Sequence, residues 1–209
     1  MPDQQGSEPK RRRKDARPDE ILQAAFQEFT AAGYAATRLD DIARRAHVSK
    51  GTIYRYFPSK EELFKALLRQ SMTSHLEHVA MLVETFPGSM EAFLRGPFKA
   101  FQEAVLESET KHLLRLLVAE AHAFPELTAF YYREVIEPGL EVLRRIVARG
   151  VASGEFRPTA LEQFPQALVA PAVVGLLWKT LFDHEQTLDI DGLLDTHLDL
   201  ILHGLFLTR

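Results

Sequence analysis

The chain has 209 residues and no cysteine, so it can form neither a disulfide framework nor a thiolate-ligated metal site. It also lacks a long apolar run: the longest, Ala167 to Trp178, falls short of the roughly 18 residues that suggest a membrane span, and Pro171 interrupts it. The N-terminus is polar and basic with no apolar segment behind it, so no secretory signal is read there. A cytoplasmic address with no membrane partner is the expectation. Nothing resembles a nucleophile elbow, a phosphate loop or a paired-carboxylate site, which argues against an enzyme and against a cofactor. His75 and His78 stand one helical turn apart, and Asp183, His184 and Glu185 adjoin. Spacing places no third ligand in either group, so no metal is expected.

What is present is an ordinary globular composition, 46% hydrophobic, with charges unevenly spread. Residues 1–75 hold 14 Lys/Arg against 10 Asp/Glu, a net of +4, and residues 76–209 hold 11 against 19, a net of -8. A basic N-terminal third on an acidic remainder is the asymmetry expected when one end meets phosphates.

Residues 1–16 carry almost no apolar side chains and read as a disordered basic arm, whose run Lys10 to Lys14 could lie along DNA phosphates. From Pro18 onward the apolar spacing is helical. Ile21, Leu22, Ala25, Phe26 and Phe29 form one stripe that ends at Gly33, a C-cap residue. Thr37, with Asp40 three residues on, imitates a capping box for a short second helix carrying Leu39, Ile42, Ala43 and Ala46. Ser49 caps a third helix that stops at Phe57 before Pro58, and Ser59 caps a long fourth. Further helices are expected over 89–107, 110–123, 125–153, 161–183 and 192–207, with prolines 97, 138, 165 and 171 kinking or breaking them. The fold class is all-α: an N-terminal three-helix bundle with a helix-turn-helix, then a larger helical domain. Domains are expected at 17–63 and 64–209.

Two short amphipathic helices about three residues apart, over Leu39 to Phe57, have the dimensions of a helix-turn-helix whose second helix fits a major groove. At about 100° per residue, Ile53 and Phe57 fall together and face the core. The opposite face shows Gly51, Thr52 and Arg55, flanked by Tyr54 and Tyr56. Residues 20–64, above all GYAATRLDDIARRAHVSKGTIYRYFPSKEELF, resemble the DNA-binding domain of the TetR family of bacterial regulators. Gly33 and Tyr34, Thr37, Ala43, then Val48, Ser49, Gly51, Thr52, Ile53, Tyr54, Tyr56, Phe57, Lys60, Glu61 and Leu63 carry the likeness. Tyr56 departs from it, since the family more often has His there. The resemblance implies that Lys50, Gly51, Thr52 and Tyr54 approach bases and nearby phosphates, that Thr37, Arg55, Tyr56 and Lys60 contact the DNA backbone, and that Ser49 belongs to the same DNA-binding set.

The rest of the chain matches that family only in architecture, as a helical effector-binding and dimerisation domain. The segments LLRLLVAEAHAFPELTAFYY and VASGEFRP are similar to AcrR/AefR-like regulators of efflux or of aromatic and lipophilic compounds. Aromatics are numerous over 86–182, and a cavity among such helices would be mainly apolar. Phe101, His122, Tyr131, Trp178 and Phe182 are the candidate effector contacts. The function expected is a ligand-responsive repressor, released from a palindromic operator by a small apolar or aromatic effector. A homodimer is expected through two apolar stripes: Leu194, Leu198, Ile201, Leu202 and Leu205, and Leu168, Val169, Val173, Leu176 and Leu177. A regulator that answers to another protein is the alternative, and an enclosed cavity against a filled core separates the two.

Overall fold

The computed structural model describes residues 17–158 and 160–205; the basic arm and the expected end of the last helix at Leu207 lie outside them. Among the described residues the chain is helical throughout, with no β-strand. In order come α1 (Arg17–Ala32), α2 (Leu39–Arg45), α3 (Lys50–Tyr56), α4 (Lys60–Thr85) and α5 (Met90–Phe93). A π-helical turn, Leu94–Phe98, leads into α6 (Lys99–Glu107), followed by α7 (Thr110–Glu120) and α8 (Pro125–Tyr131). A second π-turn, Tyr132–Ile136, precedes α9 (Glu137–Ala152), and 3-10 turns at Ala160–Glu162 and Pro165–Leu168 lead to α10 (Ala170–Leu181) and α11 (Ile190–Leu205). The chain divides into two compact units, one ending at Leu67 but also holding Leu116–Leu127, the other comprising Leu68–Arg115 and the chain from Thr128 on. The division cuts through α4, α7 and α8.

The first unit is built on the stripe read from α1. Ile21, Leu22, Ala25 and Phe29 are buried with Ile42, Ala43, Ile53, Phe57, Leu63 and Phe64. Phe29, Tyr34 and Phe64 meet with ring centroids 5.1 to 5.6 Å apart, and Phe124 adds a fourth ring 4.8 Å from Tyr34. Gly33 closes α1 at φ +84°, a left-handed conformation that costs glycine little. α2 ends in a Schellman motif: the His47 amide donates to the Arg44 carbonyl at 3.2 Å and the Val48 amide to Ala43 at 3.0 Å. Here the left-handed residue is His47, at φ +54°, at a cost of about 1–2 kcal/mol.

Ser49 and Ser59 cap as expected, their hydroxyls accepting from the Thr52 and Glu62 amides at 3.1 Å. Thr37 does not. The cap position of α2 is Arg38, with no side-chain bond, and the Thr37 hydroxyl donates to the Gly33 carbonyl at 2.6 Å and lies 3.2 Å from that of Glu28.

In the second unit Phe93, Leu94, Phe98, Leu143, Ile146, Leu198 and Leu202 share one core. Proline lacks the amide that an α-helix needs, and each proline here sits where that loss is absorbed. Pro97 lies inside the first π-turn and Pro138 in the first turn of α9. Pro165 and Pro171 divide the single helix expected over 161–183 into a 3-10 turn and α10, because each must start a helical segment. The Arg149 guanidinium donates to the Val83 and Phe86 carbonyls, closing the C-terminal end of α4. Lys99 and Arg95 meet Asp191, Asp195 and Asp199, three carboxylates one turn apart on α11, at 2.5 to 2.8 Å.

The dimerisation stripes need correcting. Leu194, Leu198, Leu202 and Leu205 are core of their own protomer, as is Leu168. Of the second stripe, Val173 and Leu177 are left in solvent, and Val174 and Leu181 on α10 and Leu200 on α11 are exposed with them.

Gly150 of α9 lies under the buried ring of Phe156, where a Cβ would stand 2.0 Å from a ring carbon. Gly150→Ala should lower stability by about 1–3 kcal/mol, read as a lower urea midpoint at constant slope. An unchanged midpoint would show that the ring can yield.

Candidate DNA-binding face and effector cavity

α3 turns Ile53 inward, fully buried, and Phe57 just beyond it is buried too. Ser49, Lys50, Gly51, Tyr54 and Arg55 are exposed, with Thr52 and Tyr56 half-buried. Seven of the nine candidate DNA contacts therefore share one accessible surface. Its polar groups are already arranged. The Ser49 and Thr52 hydroxyls are 2.8 Å apart, and the Lys50 ammonium is 2.9 Å from the Asp40 carboxylate, a pairing that raises the Lys50 pKa.

Thr37 and Lys60 depart from that surface, because their polar atoms are committed to the protein's own backbone. Thr37 is 3% exposed. The Lys60 ammonium donates to the carbonyls of Tyr34, Ala35 and Thr37 at 2.8, 3.1 and 3.1 Å and lies 4.6 Å from the centre of the Tyr34 ring. Burial pushes its pKa down, opposed by the nearby Glu120 carboxylate. Burial also pushes the Tyr34 phenol up to about 12. Glu120 accepts from the Ala35 amide at 3.1 Å, so the loop after α1 is held from both sides. Lysine at a helix start suggests a phosphate ligand, but this one ties α4 to that loop.

The second unit contains a cavity of about 560 Å³, walled by residues including Met72, Leu76, Phe98, Phe101, Tyr131 and Leu143 and open to solvent beside the exposed Val173 and Val174. Of the five candidate effector contacts, Phe101 and Tyr131 are among these walls. His122, Trp178 and Phe182 are not among the walls. His122 belongs to the segment held in the first unit. The Trp178 indole donates to the Gln186 carbonyl at 2.7 Å, with Phe182 edge-on at 5.4 Å, so these two rings close the end of α10 on itself. Burial pushes the Tyr131 phenol to about 12, which keeps it a neutral donor.

The residue that sequence reading missed is Gln102. It is 2% exposed, lines the cavity, and neither its amide nitrogen nor its amide oxygen has a hydrogen-bond partner. The signal was present: Gln102 lies one turn from Phe98 and one turn from Leu106, the lone polar side chain on the buried stripe of α6.

A buried-core helix pair with a solvent-facing second helix defines the first unit as a helix-turn-helix DNA-binding domain. The pattern of the bacterial regulatory proteins of the TetR family matches residues 21–67, and that of the tetracyclin repressor-like C-terminal domain matches residues 87–191. The HTH-type transcriptional regulator YhgD of Bacillus subtilis is 30% identical over 79% of this chain and 83% of its own length. The HTH-type transcriptional repressor KstR2 of Mycolicibacterium smegmatis is 31% identical over 68% and 69%. Among solved structures, the regulator FadR of Bacillus subtilis in complex with stearoyl-CoA superposes with a TM-score of 0.68 at 22% identity, covering 89% of this chain and 98% of that one. The chain belongs to the TetR family. It is a DNA-binding transcriptional regulator and not an enzyme. No helix among the described residues is long and apolar enough to cross a membrane.

If Lys60 is a tie, Lys60→Ala leaves three carbonyls without their donor and lowers stability by about 1–3 kcal/mol. Thermal melts measure that loss. The salt dependence of DNA binding separates the two roles: a tie leaves the slope unchanged, whereas a phosphate ligand lowers it by about one per protomer.

Proposed function

We propose that this regulator is a ligand-responsive repressor, bound as a homodimer to an inverted-repeat operator and released by a small, mainly apolar effector. The observation that carries the reading is the 560 Å³ cavity in the unit that does not hold the helix-turn-helix. A filled core would have favoured a regulator answering to another protein. FadR, of the same fold, is described with stearoyl-CoA, which supports a lipophilic effector here. Residues 17–63 then act as the DNA-binding domain and 64–209 as the effector-binding and dimerisation domain, in a cytoplasmic protein. The finer kinship with AcrR/AefR-like regulators rests on residues 113–132 and 151–158.

A twofold dimer sets its recognition helices in successive major grooves, so half-sites should lie about one turn, roughly 34 Å, or a multiple apart. Tyr54 and Arg55 project from the exposed face of α3, with Ser49, Lys50, Gly51, Thr52 and Tyr56 around them. Lys50 exchanges Asp40 for phosphate, a cheap exchange because the ion pair is exposed to solvent and screened by it. The effector shifts the dimer by binding its DNA-competent and incompetent geometries unequally.

Fluorescence anisotropy on a selected inverted repeat and on random duplex tests the recognition surface. Tyr54→Ala should cost about 1–3 kcal/mol on the repeat and much less on random DNA; equal losses on both would remove Tyr54 from base reading. The dimer is expected through the exposed strip Val173, Val174, Leu177 and Leu181 of α10. Leu177→Arg with Leu181→Arg should give a folded monomer in sedimentation at micromolar concentration. A persisting dimer would place the interface elsewhere.

A further inference from the structure

Among the described residues Gln102 is the one side chain whose buried polar atoms all lack partners; the residue lines the cavity, with its amide nitrogen and oxygen set beneath the surface of the wall. A buried amide without partners costs the desolvation of both its donor and its acceptor. Leucine of similar size would remove that cost, so the position is explained by something that meets the amide rather than by packing. The remaining walls restrict what that can be. Besides Gln102, only Tyr131 and Gln166 are polar, and no lining residue is charged. A carboxylate or phosphate buried beside Gln102 would have no cation among these walls to compensate its lost hydration. A purely apolar molecule would leave the amide as it is.

We propose that the effector is an uncharged, largely apolar molecule carrying one carboxamide or lactam edge, and that Gln102 is the residue that selects it. The proposal deepens the ligand-responsive reading and rests on it. A glutamine amide presents a donor and an acceptor side by side, and a carboxamide or lactam offers the complementary pair, as adenine does to glutamine in a major groove. With the Gln102 side chain turned toward the cavity, two parallel bonds satisfy both orphaned atoms at once. The neutral Tyr131 phenol adds a donor without adding charge. At the roughly 30 Å³ that a molecule takes in liquid water, the cavity holds about twenty non-hydrogen atoms, enough for the polar edge and an apolar body. A site built around a buried hydrogen-bonding group rejects analogues that lack its complement far more strongly than an apolar pocket rejects a missing methylene.

The test uses the full chain and three probes of equal chain length: dodecanamide, methyl dodecanoate and dodecanoate, titrated by calorimetry. Dodecanamide should bind at least about tenfold more tightly than the ester or the carboxylate. Gln102→Leu, and Gln102→Met as a second apolar replacement, should abolish that preference while leaving ester affinity equal or higher. Both variants should also melt higher than the parent without ligand, because the orphaned amide is gone. Equal affinity for amide and ester, as when water satisfies Gln102, overturns the proposal. So does preference for the carboxylate, survival of the amide preference in both variants, or no dodecanamide binding up to its solubility limit. Anisotropy on the selected inverted repeat keeps the underlying reading separate. Amide binding that depends on Gln102 but does not release DNA refutes the ligand-responsive repressor and leaves the ligand class standing. Release of DNA by ester and amide alike does the reverse.

Discussion

Four carbonyls at the C-terminal end of every helix have no partner within it, and most of the local structure here is the way those groups are closed. At the end of α1 the Gly33 amide, the Thr37 hydroxyl and the Lys60 ammonium gather on the turn, so three separate stretches of sequence meet on one loop. α4 begins at Lys60, so the same ammonium that holds the loop also fixes where the long helix departs. Between these fixed points α2 and α3 have little freedom: Ser49 caps α3, and the Schellman motif at His47 sets the angle between them. The left-handed strain at His47 is then set against a recognition helix whose direction is determined before DNA arrives. The other unit uses the same device, with Arg149 reaching the end of α4 and Gly154 closing α9 at φ +73°.

Helix existence was legible wherever an apolar stripe coincided with a local cap, as at Ile21 to Phe29 with Gly33 and at α3 with Ser49. Thr37 was misread because its spacing to Asp40 fits a cap, whereas the carbonyl it satisfies lies upstream, on a turn that sequence does not display. The prolines were legible as interruptions, but whether a proline breaks a helix or widens one turn depends on packing around it. Pro97 is absorbed in a π-turn between Phe93 and Phe98, both fully buried. Periodicity also located the leucine stripe of α11 without giving its destination. An interface stripe and a core stripe look alike in sequence, and only the elements packed against Leu194, Leu198 and Leu202 decide between them.

The candidate DNA surface was more legible than the cavity for a physical reason. A recognition helix is a contiguous seven-residue segment, so its exposed face follows from helical geometry alone. A cavity is assembled from side chains of α4, α6, α7, α8, α9, α10 and the turns between them, and it exists only where those elements fail to fill the space between them. Aromatic content pointed to Phe101 and Tyr131 but equally to Trp178 and Phe182, which meet each other edge to face instead. Composition counts rings and does not say which of them find other rings.

The orphaned amide of Gln102 bears on response as well as on recognition. An unmatched buried donor and acceptor raise the free energy of the ligand-free protein by an amount that a matching ligand returns, on the order of 1–3 kcal/mol. Allosteric couplings are typically of that size, about 1–3 kcal/mol. A ligand that satisfies Gln102 in one arrangement of the helices and not in another therefore has the differential affinity that a population shift requires, and an apolar molecule filling the same volume equally well in both has none. On this argument the polar edge of the effector sets the switch, and its apolar body contributes affinity without direction.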